Sequence, residues 1–364
     1  MKKPKPYLLL TPGPTAVSGP VLKEMAKPLV YHREESFEKL YEEVVAELRK
    51  LFVTKNRVFV FTASGTGAME AAVTNFVGRG ERVLVVSCGK FGERWREILI
   101  RYGIQVRSLF VPYGQAVKPE ELERQLKSDD ALRVVYTTLT ETSTGVMQDI
   151  KAFGEICHRL NRRLVVDCIA GLGADPFFMD DWHIDVAVGA TQKALGLPPG
   201  LSFMAVSEFA WERVHNIRTP RYYFDLRIAE NFAAKNQTPW TPAISLFYAL
   251  LLALRKINKK GIEAAWRYYQ NLAQFVRKSV TESGLELFAE SPSNALTVIK
   301  MPEKLPSHKL INHIKKHYQI LLANGQQELR DKIVRIGHMG NVTKNDLALA
   351  LRAIRLSYRK LASK

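Results

Sequence analysis

Short, nearly continuous apolar runs alternate with amphipathic stretches along most of the chain. The β-like runs fall at 57–61, 82–86, 105–110, 132–137, 163–167, 185–189 and 201–206. Between and before them, apolar residues recur at helical spacing. In 38–51, for example, Leu40, Val44, Val45, Leu48 and Leu51 share one side, and 68–77, 93–102, 119–127 and 151–160 follow the same period. Strand and helix in alternation predict an α/β fold with a mainly parallel seven-stranded sheet covered by helices, whose active site lies beyond the carboxyl ends of the strands. Two long helical patterns follow at 243–258 and 261–283. A smaller α+β part then shows strands at 295–300 and 332–336 and helices at 308–318 and 344–360. The first 30 residues, rich in proline and glycine, read as an extended arm. The expected division is arm 1–30, large domain 31–258 and small domain 259–364.

Composition narrows the classes. No apolar run reaches membrane-spanning length, and Tyr7-Leu8-Leu9-Leu10 is too short for a signal-peptide core, so the chain reads as cytoplasmic. Cys88, Cys157 and Cys168 form no CxxC pair and no disulfide framework, so no metal site is expected. The net charge is +17, and from residue 251 onward 21 Lys and Arg stand against 8 Asp and Glu. That skew admits a basic nucleic-acid-binding protein on a retired enzyme fold. However, Trp266, Tyr268, Tyr269 and Tyr318 sit at helical spacing among apolar neighbours, a core pattern rather than a base-stacking one.

Candidate chemistry clusters after the strands. Lys193 lies among small and apolar residues just past a strand. It is either a lysine in a surface turn or a desolvated amine whose neutral form attacks an aldehyde. Asp167 ends another strand, and such an acid opposite a Schiff-base lysine is the pair a pyridoxal phosphate enzyme needs. In that reading Asp167 keeps the pyridine nitrogen protonated, and Lys193, once released, moves the substrate Cα proton. Gln192 would touch the ring's edge. Ser64-Gly65-Thr66 opens a helix after a strand, as either an ordinary cap or a phosphate seat. Phe91 is either a core ring or a stacking partner. The polar run Thr138 to Gly145 is a surface loop or brings a hydroxyl to a phenolate oxygen. Arg335, between Val334 and Ile336, takes either an internal salt bridge or a substrate carboxylate.

In order and spacing these segments resemble the class V aminotransferases, fold type I pyridoxal phosphate enzymes, and within them the serine:pyruvate and alanine:glyoxylate group. The resemblance runs from Leu10-Thr11-Pro12-Gly13-Pro14 to Val334-Arg335-Ile336-Gly337. It implies that Ser64, Gly65 and Thr66 hold the phosphate of pyridoxal 5'-phosphate. It places Phe91, often tryptophan in relatives, over the ring and Ile169 below it. Ser143 is implied near the phenolic oxygen, Asp167 at the ring nitrogen, Gln192 alongside, Lys193 as the Schiff-base lysine and Arg335 at the substrate carboxylate. It further implies a homodimer with shared sites. There Gln237 and either Thr238 or Thr241 reach the neighbour's phosphate, and His32 and Arg33 lie near the pocket. The implied reaction moves nitrogen from serine or alanine to pyruvate or glyoxylate in two half-reactions. Phosphoserine and 2-aminoethylphosphonate aminotransferases are the alternatives on the same fold. Cysteine desulfurase is disfavoured because no cysteine follows Cys168.

Overall fold

A computed structural model describes residues 7–362, so the first six residues of the expected arm and the last two of the chain lie outside it. Seven strands form the large sheet: β1 (Arg57–Phe61), β2 (Arg82–Ser87), β3 (Gln105–Phe110), β4 (Val134–Thr138), β5 (Arg163–Asp167), β6 (Val186–Ala190) and β7 (Ser202–Val206). Their order is β1-β7-β6-β5-β4-β2-β3, with β7 antiparallel to both neighbours and the other pairs parallel. The strands read as unbroken apolar runs because both faces are covered. Successive side chains go to opposite cores. Val58, Val60, Leu84, Val86, Leu164 and Val166 join one, while Phe59, Phe61, Val83, Val85 and Val165 join the other.

Helix α1 (Glu35–Phe52) covers the first face together with α4 (Ile244–Asn258), where Phe37 and Tyr41 pack on Phe247. Helices α2 (Gly65–Phe76) and α3 (Lys90–Arg101) leave the carboxyl ends of β1 and β2 and cover the second face. Their N-termini therefore meet at the edge where the strands end.

A second sheet holds β8 (Glu286–Leu287), β9 (Leu296–Lys300), β10 (Ala323–Asn324) and β11 (Ile333–Gly337), antiparallel in the order β8-β9-β11-β10. It has its own core with α6 (Ser307–Tyr318) and α7 (Lys344–Ala362). Helix α5 (Ile262–Glu282) bridges the two parts: Ile262 and Trp266 enter the large core, and from Tyr269 onward its buried residues enter the small one.

The arm differs from the extended reading. Gly19–Met25 is helical, because Pro20 preorganises its first turn and Val21 buries against the large core. Leu8–Leu9 pairs in parallel with Ile320–Leu321, Leu10 is fully buried in the small core, and Gly337 N donates to the Leu10 carbonyl at 2.7 Å. This anchoring delivers Thr11 to Pro14 to the carboxyl edge of the large sheet. Among the described residues no helix is long and apolar enough to cross a membrane.

Candidate active site

Lys193 follows β6 at that edge. Its turn is tied to the arm. Thr15 N donates to the Gln192 carbonyl at 3.2 Å, Thr15 Oγ1 to the Lys193 carbonyl at 3.0 Å, and Lys193 Nζ to the Pro12 carbonyl at 2.6 Å. Gly13 has φ of +118°, and a Cβ there would stand 2.5 Å from Nζ, so only glycine lets the arm lie this close. Burial draws the pKa of the amine down to about 8. Asp167 opposes that shift, and Arg335 and Arg94 reinforce it. The surface-turn alternative therefore fails: this lysine is desolvated and held.

Lys193 and Asp167 face one cavity of about 260 Å³. Asp167 ends β5 and is 3% exposed. The Ile169 N–H donates to its Oδ1 at 2.8 Å, yet burial pushes the carboxyl up to about 7. Lys193 and Arg94 offset only part of that burial, and Glu141 adds to it, so a further cation within the cavity would favour the anion.

Ser64 heads α2 with no side-chain hydrogen bond to the helix, and Ser64, Gly65 and Thr66 line the same cavity at the helix N-terminus. Gly65 is required by packing, since a Cβ there would meet Ile169 Cδ1 at 2.4 Å. Phe91, the second residue of α3, lies with its ring centroid 5.9 Å from Lys193 Nζ. Gln192 Oε1 is buried on the same cavity without a hydrogen-bond partner. A flat, anionic, protonatable ring compound fits this donor set. Its phosphate would sit at the α2 N-terminus, a cationic ring nitrogen at Asp167, and a donor for Gln192 would be supplied. Ser64, Gly65, Thr66, Phe91, Asp167, Ile169, Gln192 and Lys193 thus converge from four separate segments.

Other expected residues stand elsewhere. The Ser143 hydroxyl is turned away from the cavity: it donates to Glu141 at 2.6 Å and accepts from Lys90 N at 3.0 Å. Thr142, the preceding residue, lines the cavity instead, with Thr140. Arg335 forms no internal ion pair among the described residues. Its Nε donates to the Asn324 carbonyl and its Nη1 to the Thr142 carbonyl, each at 2.9 Å, while Nη2 has no hydrogen-bond partner among the described residues. It stands behind Thr142 rather than on the cavity wall itself.

Arg33 donates to Gln237 Oε1, the Thr238 carbonyl and the Pro239 carbonyl at 2.7–3.0 Å, so His32-Arg33 and the 237–241 segment meet each other, not the Lys193 cavity of the same chain. The Thr238 hydroxyl is used locally, donating to the Trp240 carbonyl at 2.8 Å, whereas Thr241 is exposed. Of the two threonines, Thr241 is the one free to reach outward.

Sequence reasoning missed Arg94. One turn after Phe91, it reaches Thr66 Oγ1 at 3.3 Å with its guanidinium 4.6 Å from the Phe91 centroid, adding positive charge beside the α2 N-terminus. The i+3 spacing from the expected stacking residue was the available signal.

Comparison with known proteins agrees with this geometry. The aminotransferase class-V family profile matches residues 16–348. An uncharacterised aminotransferase of Methanocaldococcus jannaschii is 37% identical over 97% of this chain and 93% of its own. A serine–glyoxylate aminotransferase of Methylorubrum extorquens is 31% identical over 98% and 92%. The crystal structure of an alanine–glyoxylate aminotransferase from Nostoc sp. superposes with a TM-score of 0.94 at 30% identity, covering 99% of this chain and 97% of that one. With a likeness that runs end to end, and a cavity whose polar groups suit the same coenzyme, the chain belongs to the class V aminotransferases and works with pyridoxal 5'-phosphate.

Proposed function

We propose that this aminotransferase moves the amino group of serine or alanine to glyoxylate or pyruvate in a ping-pong cycle. The observation that carries this reading is the convergence of Lys193, Asp167 and the Ser64–Thr66 turn on one cavity of about 260 Å³. The names of the Methylorubrum and Nostoc relatives point to serine, alanine and glyoxylate.

When bound, pyridoxal phosphate supplies the carbonyl that takes up the substrate nitrogen and a ring that accepts the Cα electron pair. The chain's own residues do the rest. Asp167 would hold a proton on the ring nitrogen. Lys193 Nζ, poised near pH 8, removes and returns the Cα proton. The α2 N-terminus and Arg94 would hold the phosphate, and the Phe91 ring would stack on the heterocycle and exclude water there. Arg335 Nη2, the one unpaired edge of a guanidinium otherwise fixed on two carbonyls, is the donor available to a substrate carboxylate. Arg335→Ala is therefore expected to raise KM for the amino donor at least about tenfold, with a smaller fall in kcat. An unchanged KM in steady-state assays would remove Arg335 from substrate binding.

The substrate reading is tested by mixing the holoenzyme with L-serine or L-alanine, and separately with glyoxylate or pyruvate, and following each half-reaction in the absorption spectrum. No spectral change with any small amino acid would sink it.

The active form in this reading is a homodimer with shared sites. Support comes from the Arg33 and 237–241 cluster lying away from its own chain's cavity, and from the 71% exposed Tyr222 and the exposed Tyr31 near it. Mixed Lys193→Ala and Arg33→Ala chains should then recover about a quarter of parental activity, because one site of each hybrid carries both intact partners. Hybrids as inactive as the separate variants, or a monomer by sedimentation, would exclude shared sites.

A further inference from the structure

Helix α3 carries two cavity residues, Phe91 and Arg94, yet its N-cap is Gly89, which has no side chain to satisfy the first-turn N–H groups. The cap comes from another part of the chain. Glu141, fully buried on a short hairpin after β4, accepts through Oε2 from Phe91 N at 2.9 Å and Gly92 N at 3.0 Å. Its Oε1 accepts from Ser143 N at 3.0 Å and Ser143 Oγ at 2.6 Å. Ser143 Oγ in turn accepts from Lys90 N at 3.0 Å. Three consecutive N–H groups of α3 thus end on Glu141 and Ser143.

The fit is close. The Gly89 backbone is extended and open to any residue, but a Cβ there would stand 2.4 Å from both Glu141 Cγ and Ser143 Oγ. Between the two capping residues, Thr142 faces the cavity, and its carbonyl holds Arg335 Nη1. Four donors and no acceptor point at the carboxylate, which favours its anion although burial pushes its pKa up. One group therefore anchors both the wall that carries Phe91 and Arg94 and the wall that carries Thr142 in front of Arg335.

We propose that Glu141 is a positioning residue, a helix cap supplied from a separate strand that sets the Phe91 ring against the coenzyme and keeps the Thr142–Arg335 wall in register with it. It touches neither coenzyme nor substrate; it acts through the backbone of 90–92 and of 142. The inference rests on the cavity being the coenzyme site and goes beyond the choice of substrate.

The test is Glu141→Gln, alone and combined with Phe91→Leu. The coenzyme-free proteins are titrated with pyridoxal 5'-phosphate by tryptophan fluorescence, and the bound coenzyme is examined by visible-region circular dichroism. An amide turns one NH₂ toward donors, so two of the four bonds lose their acceptor. Coenzyme affinity should fall about tenfold or more and the visible ellipticity should drop. In the Phe91→Leu background, Glu141→Gln should cost clearly less than it does alone, because the ring it seats is gone and only the Arg94 and Thr142 walls remain to shift. A folded Glu141→Gln protein with parental affinity and ellipticity, or losses that simply multiply in the double variant, overturns the proposal. If Glu141→Gln does not fold, Ser143→Ala decides by the same two readouts and the same cycle. It keeps the carboxylate on Phe91 and Gly92 and removes the Lys90 bond together with the hydroxyl's own bond to Glu141, so a smaller loss that shrinks with Phe91→Leu supports the proposal and a parental or multiplicative result overturns it. A parent protein that fails to bind pyridoxal 5'-phosphate would instead fell the coenzyme site itself.

Discussion

Lys193→Ala will yield a folded protein that no longer transaminates and from which borohydride fixes no coenzyme to the chain. The loss should exceed about 10⁴-fold, because in the proposed reading one side chain is both the attachment point of the coenzyme and, among the described residues, the only lysine on the cavity wall able to shuttle the Cα proton. Steady-state rates with L-serine and glyoxylate, and the mass of the borohydride-treated chain, check it. Residual activity above about 1% of the parent would mean another group moves the proton. The parent enzyme adds a pH signature. The amine becomes a free base as pH rises through about 8, so the rate at which coenzyme-free protein recaptures pyridoxal phosphate should climb through that range and level off above it. Arg94 and Arg335 both lower that pKa, so replacing either by a neutral residue should move the midpoint upward.

Asp167→Asn should cut kcat by about 10²-fold or more, since a neutral amide cannot hold the proton on the ring nitrogen. The same substitution should stabilise the coenzyme-free protein, and the sign follows from linkage. The carboxyl has a folded pKa raised from 3.8 to about 7, so between those values the folded state binds more protons than the unfolded chain. Stability contributed by this site falls as pH rises through that window, and the penalty is complete above it. The asparagine variant should therefore melt above the parent at pH 8, with the gap closing toward pH 4. Adding pyridoxal 5'-phosphate should raise the parent more than the variant, because a cationic ring nitrogen relieves the buried anion only where there is one. Scanning calorimetry of both proteins with and without coenzyme reads all four values; a parent that out-melts the variant without coenzyme at pH 8 would show that Asp167 is not strained.

Both residues were legible because their signals are local. A lysine among small residues and an acid closing an apolar run are each unusual within a few positions of sequence, and in an open α/β sheet strand ends share one edge. The helix at Gly19–Met25 was hidden by a proline-rich composition whose first-turn proline favours helix once Val21 has a core to enter. Thr142 and Ser143 show the opposite limit. Two neighbouring hydroxyls look alike in sequence, and which one faces the cavity depends on Glu141 and Ser143 capping a helix about fifty residues upstream. Arg94 passed unnoticed because an arginine on an amphipathic helix is ordinary until Thr66, from a different helix, lies beside it. Arg335 sat between two local readings, and only the carbonyls of Asn324 and Thr142 removed the ion-pair option.

From its sequence alone the chain declares the alternating architecture, the family and the lysine–aspartate pair, because periodicity and residue type encode burial and reactivity over short spans. Which hydroxyl enters the cavity, which arginine edge stays free and how the arm closes on Lys193 were decided by the tertiary structure, because each depends on a backbone hydrogen bond to a segment far away in the chain.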